Sequence, residues 1–121
     1  MAKQLLSDPV EKLKLSQLLL RAGKRAKDNS AYQPAANFLL FAVDCLPSDA
    51  WKSHYSFTLE LYKHLAESQY LRGNYNDAEA LYPQIIIQAK TNLEKISVYW
   101  IKMNQLEFQQ RCILIILIIY F

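Results

Sequence analysis

The sequence contains few of the residues that interrupt regular structure. Its 121 residues include only two glycines, Gly23 and Gly73, and four prolines. A domain built from β-strands needs turn residues at short intervals, so this scarcity favours helices. Hydrophobic residues make up 52% of the chain and charged residues 21%, which is ordinary globular composition without a signature of disorder. We therefore expect an all-α protein of one domain's length.

The shortage of glycine and cysteine also excludes several kinds of site. Two widely separated glycines cannot form the phosphate-binding loops GxxxxGK[ST] or GxGxxG, and the kinase motifs HRD and DFG are absent. Cys45 and Cys112 lack CxxC spacing, which favours two buried thiols in a reducing cytoplasm. His54 and His64 lie about three turns apart on one predicted helix, too far to share a metal ion. We expect no catalytic site, no cofactor and no metal, and hence no enzyme.

The net charge of +3 comes mostly from one basic cluster, formed by Arg21, Lys24, Arg25 and Lys27. The cluster falls at the end of the first predicted helix, where cations complement the negative end of the helix dipole. This position favours a solvated helix end over a nucleic-acid or acidic-lipid contact. We therefore expect no nucleic acid among the partners.

Apolar periodicity and capping residues predict five helices, over residues 9–27, 31–46, 50–71, 75–90 and 91–110. The expected caps are Asp8, Ser30, Asp49, Asn74 and Thr91, with Thr91 and Glu94 in capping-box spacing. Gly73 is expected to end the third helix in a left-handed conformation, and Pro83 to kink the fourth.

Internal repetition appears when Ala35 is aligned with Ala78. Both resulting units have a polar turn, an aromatic residue three positions before the alanine, and large apolar residues after it. Short side chains at Ala35, Ala42, Ala66 and Ala78 are expected to face inward, because two helices cross closely only where side chains are small. The units match the tetratricopeptide pattern imperfectly, which predicts antiparallel helical hairpins stacked as a degenerate tetratricopeptide-like solenoid of about five helices.

The segments Pro47–Glu79 and Gln88–Met103 resemble the tetratricopeptide-like helical region of large bacterial multi-domain signalling kinases. Those proteins combine a serine/threonine kinase, an AAA-type ATPase, this helical region, a GAF sensor and often a histidine kinase. The resemblance implies a non-catalytic protein-interaction or scaffold module next to the ATPase domain, located in the cytoplasm. Protein segments of unknown identity would be its partners.

A row of aromatic residues is the candidate binding site. Trp51, Tyr55, Tyr62 and Tyr70, together with Asn74, could line a peptide groove, since tetratricopeptide arrays bind extended segments on their concave face. Packing of the same row in the core is the alternative.

The sequence divides into a helical module, residues 1–111, and an apolar tail, residues 112–121. As a helix, the ten-residue tail would rise about 15 Å, whereas a bilayer core is about 30 Å thick, so no transmembrane span is expected. Because the tail departs from the family pattern, we interpret it as a frameshift or truncation scar and the chain as a truncated fragment. The alternative function is a membrane-associated regulator that uses the tail as an interfacial anchor.

Overall fold

The computed structural model describes residues 9–96, 98–99, 101–103 and 118–119. Every regular element within these residues is a helix, which confirms the all-α prediction. The helices are α1 (Pro9–Asp28), α2 (Tyr32–Asp44), α3 (Ala50–Ser53), α4 (Tyr55–Leu71) and α5 (Tyr75–Gln88). Helical residues 92–96, 98–99 and 101–103 follow, and are called the 92–103 segment. The rest of the predicted fifth helix lies outside the described residues, and the division at residue 111 stays a prediction.

Two helices end in the same left-handed turn, one at a glycine and one at a serine. Gly73, with φ of 96°, ends α4 as predicted, and the next amide, Asn74 N, donates to Gln69 O at 2.8 Å. Ser30, with φ of 62°, ends α1 in the same way, and Ala31 N donates to Ala26 O at 2.8 Å. These bonds satisfy carbonyls that the helix itself leaves unpaired.

Ser30 therefore belongs to the end of α1, and the prediction that it caps the second helix is wrong. Ala31 occupies the N-cap of α2 instead, without a side-chain hydrogen bond. Asp49 and Asn74 do occupy the N-caps of α3 and α5, but neither side chain makes a capping bond. Asp8 lies outside the described residues.

The predicted capping box after α5 is confirmed. Glu94 N donates to Thr91 Oγ1 at 3.2 Å, and Thr91 N donates to Glu94 Oε2 at 3.3 Å. The two reciprocal bonds satisfy amides that the first turn of the 92–103 segment would otherwise leave unpaired. Ahead of this turn, α5 continues through Pro83 to Gln88.

The predicted third helix, 50–71, is interrupted at His54, so it forms the separate helices α3 and α4. His54 has φ of −134° and ψ of 54°, outside the helical region. The Thr58 hydroxyl lies 2.7 Å from His54 O and 3.2 Å from Ala50 O. Both carbonyls also keep their regular backbone partners, since His54 N donates to Ala50 O at 2.8 Å and Thr58 N donates to His54 O at 2.9 Å.

Contacts between side chains give the directions of the first helices. Ser16 in α1 donates from Oγ to Ala42 O in α2 at 2.9 Å. Gly23, later in α1, lies beside Leu39, which comes earlier in α2. The two helices are therefore antiparallel. Between α1 and α4 the partners move forwards together, from Lys24 and Glu60 to Lys27 and Glu67, so these two helices run in the same direction.

Two hydrophobic clusters lie on opposite sides of α4. The first cluster joins α1, α2 and α4 and contains Leu20, Leu39, Ala42, Leu61 and Leu65. The second cluster joins α4, α5 and the 92–103 segment and contains Leu59, Ala66, Ala78, Tyr82, Ile85 and Val98. Ala35, Ala42, Ala66 and Ala78 are all buried, which confirms that these short side chains face inward.

Candidate functional site

A groove with a volume of about 460 Å³ runs along one side of α4. Its apolar residues are Leu59 from α4 and Ile101 from the 92–103 segment. Polar residues supply the rest of the lining: Ser56, Glu60, Lys63, His64 and Glu67 from α4, and Glu94 from the 92–103 segment. The groove thus lies between α4 and the 92–103 segment, which α5 separates in the sequence, and has both apolar and polar walls.

The polar wall follows from a simple spacing in the sequence. Glu60, Lys63, His64 and Glu67 stand at positions i, i+3, i+4 and i+7, which share one side of a helix. Leu61 and Leu65, by contrast, are buried in the first cluster. None of these four polar residues was among the predicted site residues, although their spacing alone identifies them as one surface.

Lysines from α1 form the edge of the groove by pairing with α4. Lys24 Nζ lies 2.8 Å from Glu60 Oε1, and Lys27 Nζ lies 2.6 Å from Glu67 Oε2. The hydrogen bond from Lys24 lowers the pKa of Glu60, so this carboxylate stays ionised. Two members of the basic cluster are therefore engaged with α4, while Arg21 and Arg25 are exposed.

His64 is a neutral imidazole held between charged groups. Burial, followed by the nearby Lys27 ammonium, lowers its pKa. Lys27 Nζ lies 2.7 Å from His64 Nδ1, and because an ammonium only donates, Nδ1 accepts and the ring proton sits on Nε2. His64 Nε2 is 3.8 Å from Glu60 Oε1, beyond hydrogen-bond distance. The groove therefore contains a neutral N–H donor.

Tyr55 forms the opposite edge by joining α4 to the 92–103 segment. Its hydroxyl donates to Glu94 Oε2 and accepts from Lys90 N at 2.7 Å, while Lys90 Nζ lies 4.4 Å from the centre of its ring. The bond from Tyr55 lowers the pKa of Glu94. Burial, and then the bond to Glu94, raises the pKa of Tyr55.

The structure brings three of the five predicted site residues together. The Trp51 ring lies 6.2 Å from that of Tyr55 and 5.1 Å from that of Tyr62, and all three pack against the second cluster. Burial raises the pKa of the Tyr62 hydroxyl.

The other two predicted site residues lie near the turn between α4 and α5. Tyr70 packs against the second cluster, with its ring 5.0 Å from that of Tyr75, and Asn74 is half-buried at the N-cap of α5. None of the five is among the residues that line the groove described above. A peptide-binding role for them stays a prediction.

The described part of the chain contains neither a group of metal-binding side chains nor a membrane-spanning helix. Within it, no group of three or more His, Cys, Asp or Glu side chains could hold a metal ion. Likewise, none of the described helices combines the length and apolar character needed to cross a bilayer. Cys45 is buried, as predicted, whereas Cys112 lies outside the described residues.

A known signalling protein is similar to most of this chain. Hybrid signal transduction histidine kinase G of Dictyostelium discoideum is 24% identical over 96 residues, which cover 72% of this chain but 3% of the kinase. The chain thus spans only a small part of that relative's length. No protein-family model and no solved structure matches. The expected relationship to a signalling kinase is found at this level, in an amoeba, without a tetratricopeptide family being identified.

Proposed function

We propose that this chain is a non-catalytic protein-interaction module of a signalling kinase, in which the groove along α4 holds an extended segment of a partner protein. The observation that carries the proposal is the groove itself, about 460 Å³ in volume and bounded by α4 and the 92–103 segment. The aromatic residues Trp51, Tyr55 and Tyr62 then support the groove from behind, by fixing α4 against the helices that follow it.

The directions of the helices support a tetratricopeptide-like array. In such arrays the first helices of successive hairpins lie side by side in the same direction, and each second helix runs back along the first. α1 and α4 run in the same direction, and α2 is antiparallel to α1. Degenerate hairpins stacked as a solenoid are therefore part of the proposal.

The lining of the groove suits the backbone of an extended peptide. Ser56, Lys63 and the Nε2–H of His64 supply donors for peptide carbonyls, and the carboxylates of Glu60 and Glu94 can accept from peptide amides. Leu59 and Ile101 offer apolar contacts for alternate side chains.

The kinase similarity supports a signalling context. The Dictyostelium relative is named as a hybrid signal transduction histidine kinase, and this chain corresponds to a small part of it. We place the module inside such a protein, in the cytoplasm, and assign the phosphoryl-transfer chemistry to other domains. Purified chain is therefore expected to show neither ATP hydrolysis nor autophosphorylation, and either activity would contradict a non-catalytic role.

Selection of short random peptides against the chain tests the groove. Peptides that bind the natural chain should bind a Ser56→Arg variant at least about tenfold more weakly, equivalent to about 1.4 kcal/mol, because the longer side chain fills the groove. Dissociation constants from fluorescence anisotropy measure the difference.

Gln84→Arg is the matched control, since Gln84 is exposed on α5 and does not line the groove. This variant should bind the selected peptides as the natural chain does. Equal weakening by both substitutions, or no weakening by Ser56→Arg, would show that the groove is not the binding site.

A further inference from the structure

One side of α1 is open to solvent along most of the length of the helix. The buried side contacts α2 through Ser16 and Gly23. Four exposed residues lie on the opposite side, and we call them the outer stripe: Lys14, Leu18, Arg21 and Arg25. They follow one another at steps of four, three and four residues, so they form one continuous side of a helix.

The outer stripe lies on the most positively charged of the described helices. α1 contains six lysines and arginines but only two acids, so its net positive charge exceeds the +3 of the whole chain. Glutamates of α4 neutralise two of these cations, Lys24 and Lys27. Within the described residues, no carboxylate pairs with the three cations of the outer stripe. The outer stripe therefore retains positive charge that the fold does not compensate.

An apolar side chain lies among these cations. Leu18 is 59% exposed, with Lys14 one turn before it and Arg21 one turn after it. At the C-terminal end of the stripe the surface forms a hollow of about 460 Å³, lined by Arg21, Lys24, Arg25, Asp28 and Asn29. An apolar centre with a polar rim is typical of protein–protein interfaces. The planar guanidinium of arginine also suits carboxylates, which it binds through two parallel hydrogen bonds.

We infer that the outer stripe binds an acidic helix of a partner protein. Carboxylates of that helix pair with Lys14, Arg21 and Arg25, and an apolar side chain between them covers Leu18. Steps of three and four residues are those along which two helices pack side by side. The stripe extends over about 16 Å, so three turns of a partner helix span it. This surface is separate from the groove along α4 and does not depend on peptide binding there.

Two features favour an acidic protein over other negatively charged partners. A helix that lies in a membrane surface needs a broad apolar side, whereas the exposed large apolar residues of α1 are only Val10 and Leu18. A nucleic acid would bring a row of phosphates, and Asp28, in the hollow at the end of the stripe, repels them. A protein helix can instead leave a neutral side chain opposite Asp28.

Selection of random peptides against the full chain tests the inference. One class of selected peptides should combine several Asp or Glu residues with an apolar residue. Peptides of this class should bind an Arg21→Glu variant at least about tenfold more weakly than the natural chain, because a paired charge is reversed. Dissociation constants from fluorescence anisotropy measure the difference, and circular dichroism of the variant verifies that its helices persist.

Lys52→Glu is the matched control, since Lys52 is exposed on α3 and the substitution changes the net charge by the same amount. It should weaken binding of the acidic peptides by less than about twofold at physiological salt, where charges more than about 8 Å apart are largely screened. Ser56→Arg, which fills the groove, should leave these peptides unaffected. Failure of the groove and failure of the outer stripe therefore give different results.

An exchange of charges sharpens the test. A selected peptide in which lysine replaces the acid that pairs with Arg21 should bind the natural chain poorly. The same peptide should bind the Arg21→Glu variant at least about tenfold more tightly than it binds the natural chain, because the pair is restored with opposite signs.

Three results would overturn the inference. The first is a selection that yields no acidic peptides. The second is equal weakening by Arg21→Glu and Lys52→Glu, which assigns binding to overall charge. The third is tighter binding of phosphatidylserine vesicles or duplex DNA than of the acidic peptides, lost in the Arg21→Glu variant, which assigns the outer stripe to a lipid surface or a nucleic acid.

Discussion

The two helical hairpins bring their helices together with different residues at equivalent positions. When the hairpins are aligned on their first buried alanine, the first has Gly23 and Leu39 where the second has Ala66 and Tyr82. In the first hairpin the backbone of α1 at Gly23 lies directly against the Leu39 side chain. In the second, Ala66 and Tyr82 share a cluster with aromatic neighbours. A glycine allows a close crossing filled by leucine, while an alanine accompanies a larger aromatic side chain.

The difference shows how two hairpins can pack through different residues at equivalent positions. At both crossings, small residues leave room for one large side chain, Leu39 in the first hairpin and Tyr82 in the second. Both large side chains are fully buried. Total volume and pattern matter more than identity in a hydrophobic core. Substitutions at these positions should therefore have large effects.

Removing the large residue of each crossing should have the largest effect. Tyr82→Ala is expected to lower the free energy of unfolding by about 3–5 kcal/mol, and Leu39→Ala by about 2–5 kcal/mol, because each leaves a cavity in a packed cluster. Urea denaturation measures both losses. Tyr82→Phe is the control that retains the ring volume. A loss below about 1 kcal/mol for Tyr82→Ala would mean that the second crossing is loosely packed, unlike the first.

Adding a side chain at the close crossing should have the next largest effect. A Cβ atom at Gly23 would lie 2.7 Å from both Cγ and Cδ2 of Leu39, which is buried and has little room to move. Gly23→Val is therefore expected to lower the free energy of unfolding by about 1–3 kcal/mol. Ala22→Val is the control on the same helix, at a half-buried position, and should have a smaller effect.

A smaller side chain at position 39 should relieve the overlap that a valine at position 23 creates with Leu39. In a Leu39→Ala background, Gly23→Val should be less harmful than in the natural chain, giving a coupling energy of at least about 0.5 kcal/mol. Urea denaturation of the single and double variants completes the cycle. Additive losses would show that Leu39 is not what limits space at Gly23.

Each hairpin also buries a serine, and the two serines differ in hydrogen bonding. Ser16, in the first hairpin, donates to Ala42 O, whereas the Ser68 hydroxyl of α4 has no hydrogen-bond partner among the described residues. Ser16→Ala should lower the free energy of unfolding by about 1 kcal/mol through the lost bond. Ser68→Ala should raise it by up to about 1 kcal/mol, because it removes a buried hydroxyl without a partner. Thermal or urea unfolding of both variants would reveal these opposite signs, and equal signs would contradict the assignment.

The fold was predictable where a single residue type decides local geometry. Gly73 acts through local backbone bonds, and Thr91 and Glu94 act through side-chain oxygens that accept from each other's backbone amides, so their positions in the sequence predict them directly. Ser30 and His54 were not predictable in this way. Serine is not a typical left-handed residue, and the break at His54 accompanies bonds of the Thr58 hydroxyl to preceding carbonyls.

The candidate site was less predictable than the fold. The aromatic row was predicted to line a peptide groove, yet Trp51 and Tyr62 pack against the second cluster. The groove is lined mostly by polar side chains that a sequence reader assigns to a solvated surface. Their grouping depends on which helices lie beside α4, and that information comes from tertiary packing. The bond between Lys27 and His64, 37 positions apart, shows the same dependence.

Protonation of His64, which Lys27 contacts, should have the smallest effect on the free energy of unfolding. His64 remains partly exposed, and water screens its charge. Above its ordinary pKa of 6.5, His64 is neutral in both the folded and the unfolded chain. As pH falls below 6.5, the unfolded chain binds a proton first, because burial and Lys27 lower the pKa in the folded chain. Stability should therefore fall from pH 6.5 downward and level off below the folded pKa.

A His64→Gln variant isolates this contribution, because glutamine can accept from Lys27 but does not titrate. Urea midpoints measured from about pH 8 to about pH 5 should fall less steeply for the variant than for the natural chain, since carboxylates titrate in both. Equal slopes would mean that His64 has the same pKa folded and unfolded. Burial and Lys27 would then not hold the imidazole neutral, and the groove would lose its neutral N–H donor in mildly acidic solution.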